Sequence, residues 1–400
     1  MHLLAKHSEK SENYLFGRRA ILLWSFLQIA TMGIGAAFSP NFLAYCIFRF
    51  LTGMGISGFI LNDLSLAQEW IPSRFRAIVV TTQAYLVTLG QPLLAGMAYG
   101  LRRWRWIQLV AALPFLICFL YTWWLPESGR WLIVNNKTEI ALKHLNRVCN
   151  FNKKKEERQL VSLEMLQMET QEVKPASDSR LSFVHLFRSP IMCRMTCCLT
   201  FAWFATSFAF FAVAMDLQKF GLSIYLVQVI FGVIDIPFKL LAALGVTYIG
   251  RRFSQTSCLI LAGLLILASI AVPEDMHRLQ ITLTVLGKGS LASSILCAYV
   301  YSTELFPTVI RQTGMGFTQM IFRFGAMVSP LVMMTSEYVS FLPMIIFGVT
   351  ALIAGVFVLL LPETRNLPLP DTIEQVHNRK LHENYAYVKC KSVILHQMLA

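Results

Sequence analysis

Asp235 and Lys239 lie four residues apart inside Leu222–Thr247, a stretch long and apolar enough to cross a bilayer. A charge at the centre of a membrane helix costs about 2.5 kcal/mol or more on insertion scales, so such residues face protein or a wet cavity rather than lipid. Gln228, Asp235 and Lys239 recur at helical spacing and share a face. Gln312, Gln319 and Arg323 do the same on a second apolar stretch, which places Arg323 at a similar depth. An ammonium and a guanidinium fork at mid-membrane suit recognition of a carboxylate or sulfate. Arg323 has no acidic residue on its own helix and is expected to bind substrate. For Asp235 and Lys239 two readings stay open: they neutralise each other across one helical turn, or they belong to the site. Pro237 between them loosens the helix, which would help expose the site.

The elements that must position these groups are membrane helices. The chain is 56% hydrophobic and 14% charged, which is too apolar for an ordinary soluble domain of 400 residues. Candidate spans fall at 20–38, 41–61, 77–98, 106–125, 191–213, 222–247, 254–272, 279–303, 312–333 and 339–361. A polar stretch, 126–190, separates the fourth from the fifth and reads as amphipathic helix plus linker, with a helical period over Leu160–Glu169. The net charge of +13 sits mostly at alternate junctions: Arg18–Arg19, Arg74 and Arg76, the 126–190 stretch, Arg251–Arg252, Arg311 and the tail. The positive-inside rule places these, and both termini, in the cytoplasm, with Arg102, Arg103 and Arg105 against the trend. No nucleic-acid motif accompanies the basic charge. No nucleotide loop, nucleophile triad or metal set is present, so catalysis and primary pumping find no support and no cofactor is implied. The nine cysteines are scattered and read as small buried hydrophobes.

The sequence repeats at an offset of about 235 residues. Glu69-Trp-Ile-Pro72 through Arg76 matches Glu304-Leu-Phe-Pro307 through Arg311, and Gly53-Met-Gly55 matches Gly287-Lys-Gly289. Gly17-Arg18-Arg19 matches Gly250-Arg251-Arg252, and Pro126-Glu127-Ser128 matches Pro362-Glu363-Thr364. Parallel repeats about an axis along the membrane normal are one way transporters are built. Two spans precede the second Gly-Arg-Arg and none precedes the first, so a six-plus-six design with its first two helices missing is expected. The repeat also sets Thr88 opposite Arg323, so the fold does not demand a cation there. Arg49, Glu69, Arg76, Glu304 and Arg311 are expected at cytoplasmic ends of spans, forming interhelix ion pairs that hold one conformation shut. Simple interfacial anchoring is the plainer reading of the same residues.

These junctions resemble those of the major facilitator superfamily: Arg49 with Gly53-Met-Gly55, and Gly17-Arg18-Arg19. More specifically, the chain resembles the organic anion transporters of solute carrier family 22. The stretches that carry this are Trp203–Ala209, Met215–Gln218, Ser223–Leu226, Glu304–Thr308, Ile310–Gly316, Leu361–Thr364 and Pro368–Thr372. The resemblance covers about residues 15–378 and implies an all-α multi-pass membrane protein, a major facilitator fold with about ten of its twelve helices. Residues 1–125 would be the remnant of the N-terminal half, 126–190 the central cytoplasmic loop, 191–362 the C-terminal half and 363–400 a cytoplasmic tail. It implies secondary transport of organic anions across the plasma membrane, by exchange against an intracellular dicarboxylate. It also implies that Lys239 and Arg323 recognise the anion and that Phe210 and Phe211 line the cavity; Tyr85 and Tyr299 are weaker cavity candidates read from the chain itself. The family has an acidic residue where this chain has Tyr14, and a large extracellular loop that is absent here. An organic cation or zwitterion carrier, or a non-transporting short form, are the rival expectations.

Overall fold

The computed structural model describes residues 17–71, 76–134, 137–151, 185–216, 223–273, 276–307, 310–339, 341–365 and 376. The helices, in order, are α1 (Arg18–Ala37), α2 (Phe42–Trp70), α3 (Arg76–Leu101), α4 (Trp104–Thr122), α5 (Gly129–Val134) and α6 (Thr138–Phe151). Then follow α7 (His185–Arg188), α8 (Pro190–Asp216), α9 (Ile224–Tyr248), α10 (Arg251–Ala271), α11 (His277–Leu305), α12 (Arg311–Met333) and α13 (Leu342–Val358). Among the described residues nine helices are long and apolar enough to cross a membrane. The tenth expected span, 339–361, forms α13 of 17 residues, with Pro343 in its first turn; that length is at the lower limit for a span. The second span was expected to end near 61, but α2 runs on to Trp70, carrying Asn62 and Asp63 in its last third. Within 126–190, α5 and α6 supply helix, while Leu160–Glu169, the lysines at 153–155 and the linker lie outside the described residues.

The chain forms two compact units. One comprises residues 1–76 and 100–180. In it α1 packs along both α2 and α4. The close approaches are made by glycines: Gly55 sits against Ile29, and a side chain at Gly33 would meet Ala112 at 3.0 Å. Phe26 stacks with Phe59 and Phe115 between the three helices.

The other unit comprises residues 77–99 and 181–400. Here α10 packs along α11 and α13, just as α1 packs along α2 and α4, so the sequence repeat returns as a packing repeat. Gly263 and Gly348 face each other where α10 meets α13, as Gly33 and Ala112 do in the first unit. In addition α8 packs along α11, α12 and α13, and Trp203, Leu199 and Met195 on α8 fill the core. The repeat pairs α3 with α12, yet residues 77–99 of α3 belong to this second unit and lie against α9. The faces left uncovered are apolar, including Leu241, Leu264, Met327, Leu331 and Val356, the reverse of a water-soluble bundle.

Candidate functional site

The polar stripe on α9 meets three neighbouring elements. Asp235 and Lys239 lie one turn apart, but they do not pair with each other. Both Asp235 carboxylate oxygens accept from Lys288 Nζ on α11, each at 2.8 Å. The two side chains are 0% and 1% exposed. Gln91 on α3 adds a long bond of 3.5 Å to Oδ2. Lys239 turns the other way, donating to Thr88 Oγ1 at 2.5 Å and to the Ala84 carbonyl at 3.2 Å, both on α3. Of the two readings left open for Asp235 and Lys239, the geometry does not show direct pairing: the acid's bonded partner is Lys288, 53 residues away.

Local sequence explains why Lys288 reaches so far inside. Gly289 lets α11 press against Ile234 and Phe238 on α9, where a Cβ would come within 2.9 Å of both side chains. Asp235 and Lys288 each stand eleven residues into parallel-running helices, about 16 Å along each axis, so the crossing brings them to one depth. The Lys288 ammonium also lies over two rings, Phe231 at 4.4 Å and Phe210 at 5.1 Å from their centroids. Those ring faces, with the carboxylate, replace the water it has lost.

A second polar group surrounds α12. Tyr299 on α11 donates to Gln319 Oε1 at 3.2 Å, and its ring meets Trp203 edge-on at 4.8 Å. Trp203 Nε1 is satisfied by Ser302 at 2.9 Å, and its indole is fully buried. Gln319 Nε2 is buried and has no acceptor among the described residues. Arg323, one turn further along α12, is exposed, and it acts electrostatically on Tyr299. Among the described residues no acid pairs with it. Lys288 and Tyr299 lie eleven residues apart on α11, close to three whole turns, so the two groups share a face about 16 Å apart.

Phe210 and Phe211 on α8 join these groups. Their centroids are 5.4 Å apart, with Phe210 over the Lys288 ammonium and Phe211 reaching Phe322 at 6.4 Å. Tyr85 is placed at the first group, its hydroxyl 3.4 Å from the Ile236 carbonyl.

Of the residues expected to gate, Glu304, Arg311 and Arg49 have described side chains. Glu304 on α11 holds Arg251 on α10 through two bonds of 2.9 and 3.0 Å and accepts from Thr364 at 2.6 Å, an ion pair between helices. Arg311 Nε donates to the Phe306 carbonyl and closes the turn between α11 and α12. Arg49 and Glu69 were both expected at cytoplasmic ends of spans, and they lie at opposite ends of the same helix. Arg49 sits in the second turn of α2, twenty residues or about 30 Å from Glu69. It stacks on Tyr45 at 5.8 Å. Glu69 and Arg76 are helical, and their side chains fall outside the described residues.

Sequence reasoning overlooked two glutamates. Glu363 accepts from the backbone N–H groups of Arg251 and Arg252, at 2.9 and 3.1 Å, and so caps α10 from a distant loop. Glu127 caps α1 in the same way, with both carboxylate oxygens 3.2 Å from the Arg19 amide. This explains the glycine in each Gly-Arg-Arg. Gly250 has φ of 135°, and a Cβ there would lie 2.6 Å from the Glu363 carboxylate; a side chain at Gly17 would strike Glu127. The signal was in the repeat, in the Pro-Glu-Ser and Pro-Glu-Thr pair.

Residues 13–375 match the family model described as sugar (and other) transporter. The chain is 48% identical over 91% of its length to solute carrier family 22 member 6-A of Xenopus laevis, spanning 65% of that protein. It is 49% identical over 92% of its length to organic anion transporter 3 of Homo sapiens, spanning 68% of it. The chain belongs to solute carrier family 22. It thus spans about two thirds of the length of the curated relatives it matches. Among solved structures, the proton:xylose symporter XylE bound to 6-bromo-6-deoxy-D-glucose matches with a TM-score of 0.69 at 18% identity, over 88% of this chain and 82% of that one. A partially occluded inward open form of XylE from E. coli matches at 0.64, over the same shares. At that identity the likeness shows the major facilitator fold alone.

Proposed function

We propose that this chain carries organic anions across the bilayer by alternating access, with Lys239 and Arg323 as the attracting cations. The observation that carries this reading is the pattern of partners. Lys288 occupies the carboxylate of Asp235, and among the described residues no acid bonds to Lys239 or Arg323. Among the described residues Lys239 holds a hydroxyl and a carbonyl, which an anion can displace. Beside Arg323, the unpaired Gln319 amide adds a second donor for a carboxylate. Phe210, Phe211, Tyr85 and Tyr299 supply apolar and weakly polar walls, as an amphipathic anion needs. Relatives at 46–49% identity are named as organic anion transporters and solute carrier family 22 members, which points the same way. A cation carrier would need an acid free to meet its guest, and Asp235 is engaged.

Exchange against a dicarboxylate belongs to the same proposal, since two cations that no acid pairs with among the described residues suit a guest with two carboxylates. So do residence in the plasma membrane, cytoplasmic termini, and a division into two halves joined by 126–190 and followed by a tail from 363. The Glu304–Arg251 pair is the proposed gate, released in the opposite conformation. The test is uptake of labelled benzoate into proteoliposomes preloaded with succinate or empty. Faster entry into loaded vesicles, and loss of entry in Arg323→Ala and Lys239→Ala, is the expected result. Full activity in both variants removes the proposed site, and equal entry with and without succinate removes exchange.

A further inference from the structure

We propose that Asp235 is a specificity-determining residue: a tethered carboxylate that holds Lys288 and so sets how many negative charges a guest brings. The inference rests on the anion-binding reading above and assigns a role to a pair which that reading leaves aside.

Three observations carry it. The pair is bidentate and sealed, with both oxygens at 2.8 Å from one ammonium, so the charge of Lys288 is matched inside the protein. The helix crossing does not require it: the repeat places Met54 between Gly53 and Gly55 where Lys288 stands between Gly287 and Gly289. The glycines alone permit the close approach, and a buried ion pair contributes little stability beyond what apolar residues of that volume would give. Finally, the pair adjoins the proposed site. Lys239 stands one turn from Asp235 on α9, and Phe210, over the Lys288 ammonium, begins the aromatic path through Phe211 and Phe322 toward Arg323.

Around Asp235, then, stand Lys239 on its own helix, Lys288 and Phe231, and Gln91 with Thr88 on α3. With Asp235 charged, Lys288 is cancelled and Lys239 and Arg323 face the guest. Without that charge Lys288 becomes a third cation, and a second carboxylate gains a partner. Without Lys288, the carboxylate turns on Lys239 and cancels it instead.

The experiment measures binding of benzoate and isophthalate, one ring with one or two carboxylates, to purified wild type, Asp235→Asn and Lys288→Gln in detergent. The readout is the ratio of the two dissociation constants. Asp235→Asn is expected to shift it toward isophthalate by about tenfold. Lys288→Gln is expected to shift it the other way by a similar factor. Opposite shifts are something a purely structural pair would not produce. An unchanged ratio in either folded variant overturns the proposal, and if one variant fails to fold the other decides. Wild type that binds neither probe overturns this inference together with the anion-binding reading. Wild type that binds both but moves neither into vesicles overturns transport alone.

Discussion

Arg323 and Lys239 differ in what holds them, and that difference predicts how each responds to mutation. Arg323 offers a planar fork with no acid on it among the described residues, so a carboxylate can take two bonds. Arg323→Ala is expected to raise KM for benzoate about tenfold or more, in line with about 1.5–3 kcal/mol for a charged hydrogen bond. Arg323→Lys keeps the charge and loses the fork, and should fall between the two; kinetics on proteoliposomes check the order. Lys239 is held by Thr88 and Ala84. Thr88→Val removes a competitor for the ammonium and should tighten benzoate binding about two- to fivefold, the size of one neutral hydrogen bond. Weaker binding in that variant would mean Thr88 aims the lysine instead.

At the scale of the elements, glycines in matching motifs do different work. Gly53 has nothing within 4 Å of its would-be Cβ, whereas Gly289 has Ile234 and Phe238 at 2.9 Å. Gly53→Ala should therefore be neutral or stabilise α2 by up to about 1 kcal/mol, through helix propensity. Gly289→Ala should destabilise and push α11 off α9, opening the Asp235–Lys288 pair. Melting of the two purified variants in one detergent gives the comparison, and equal shifts would contradict it. The loop glutamates make a further case. Each satisfies orphan N–H groups at a helix start and places negative charge at the positive end of the dipole. Glu363→Ala should lower stability by about 1–2 kcal/mol, and Glu127→Ala by a similar amount, read from the same melts.

For the molecule as a whole, the relevant balance is between an apolar outer surface and ends rich in Arg and Lys. The proposed topology puts both termini and 126–190 on one side. Epitope tags at either end should bind antibody only in permeabilised cells. Asn136-Lys-Thr138 should stay unglycosylated, so that a glycosidase leaves mobility on a gel unchanged. Labelling of a tag on intact cells would reverse the assignment.

Helix positions, the repeat, the family and the polar residues of α9 and α12 were all legible in the chain, because burial in lipid forces long apolar runs and makes every interior charge conspicuous. Who binds whom was not. Asp235 could have paired with Lys239 on its own helix, and it pairs with Lys288 because a glycine on α11 allows two backbones to close at that depth. Lys239 takes its partners from α3, which the repeat assigns to the first half. Arg49 and Glu69 share a helix but lie at opposite ends of it. Spacing along one helix fixes a face and a height; the partner across the gap depends on which helices cross and how closely, and only the assembled structure determines that.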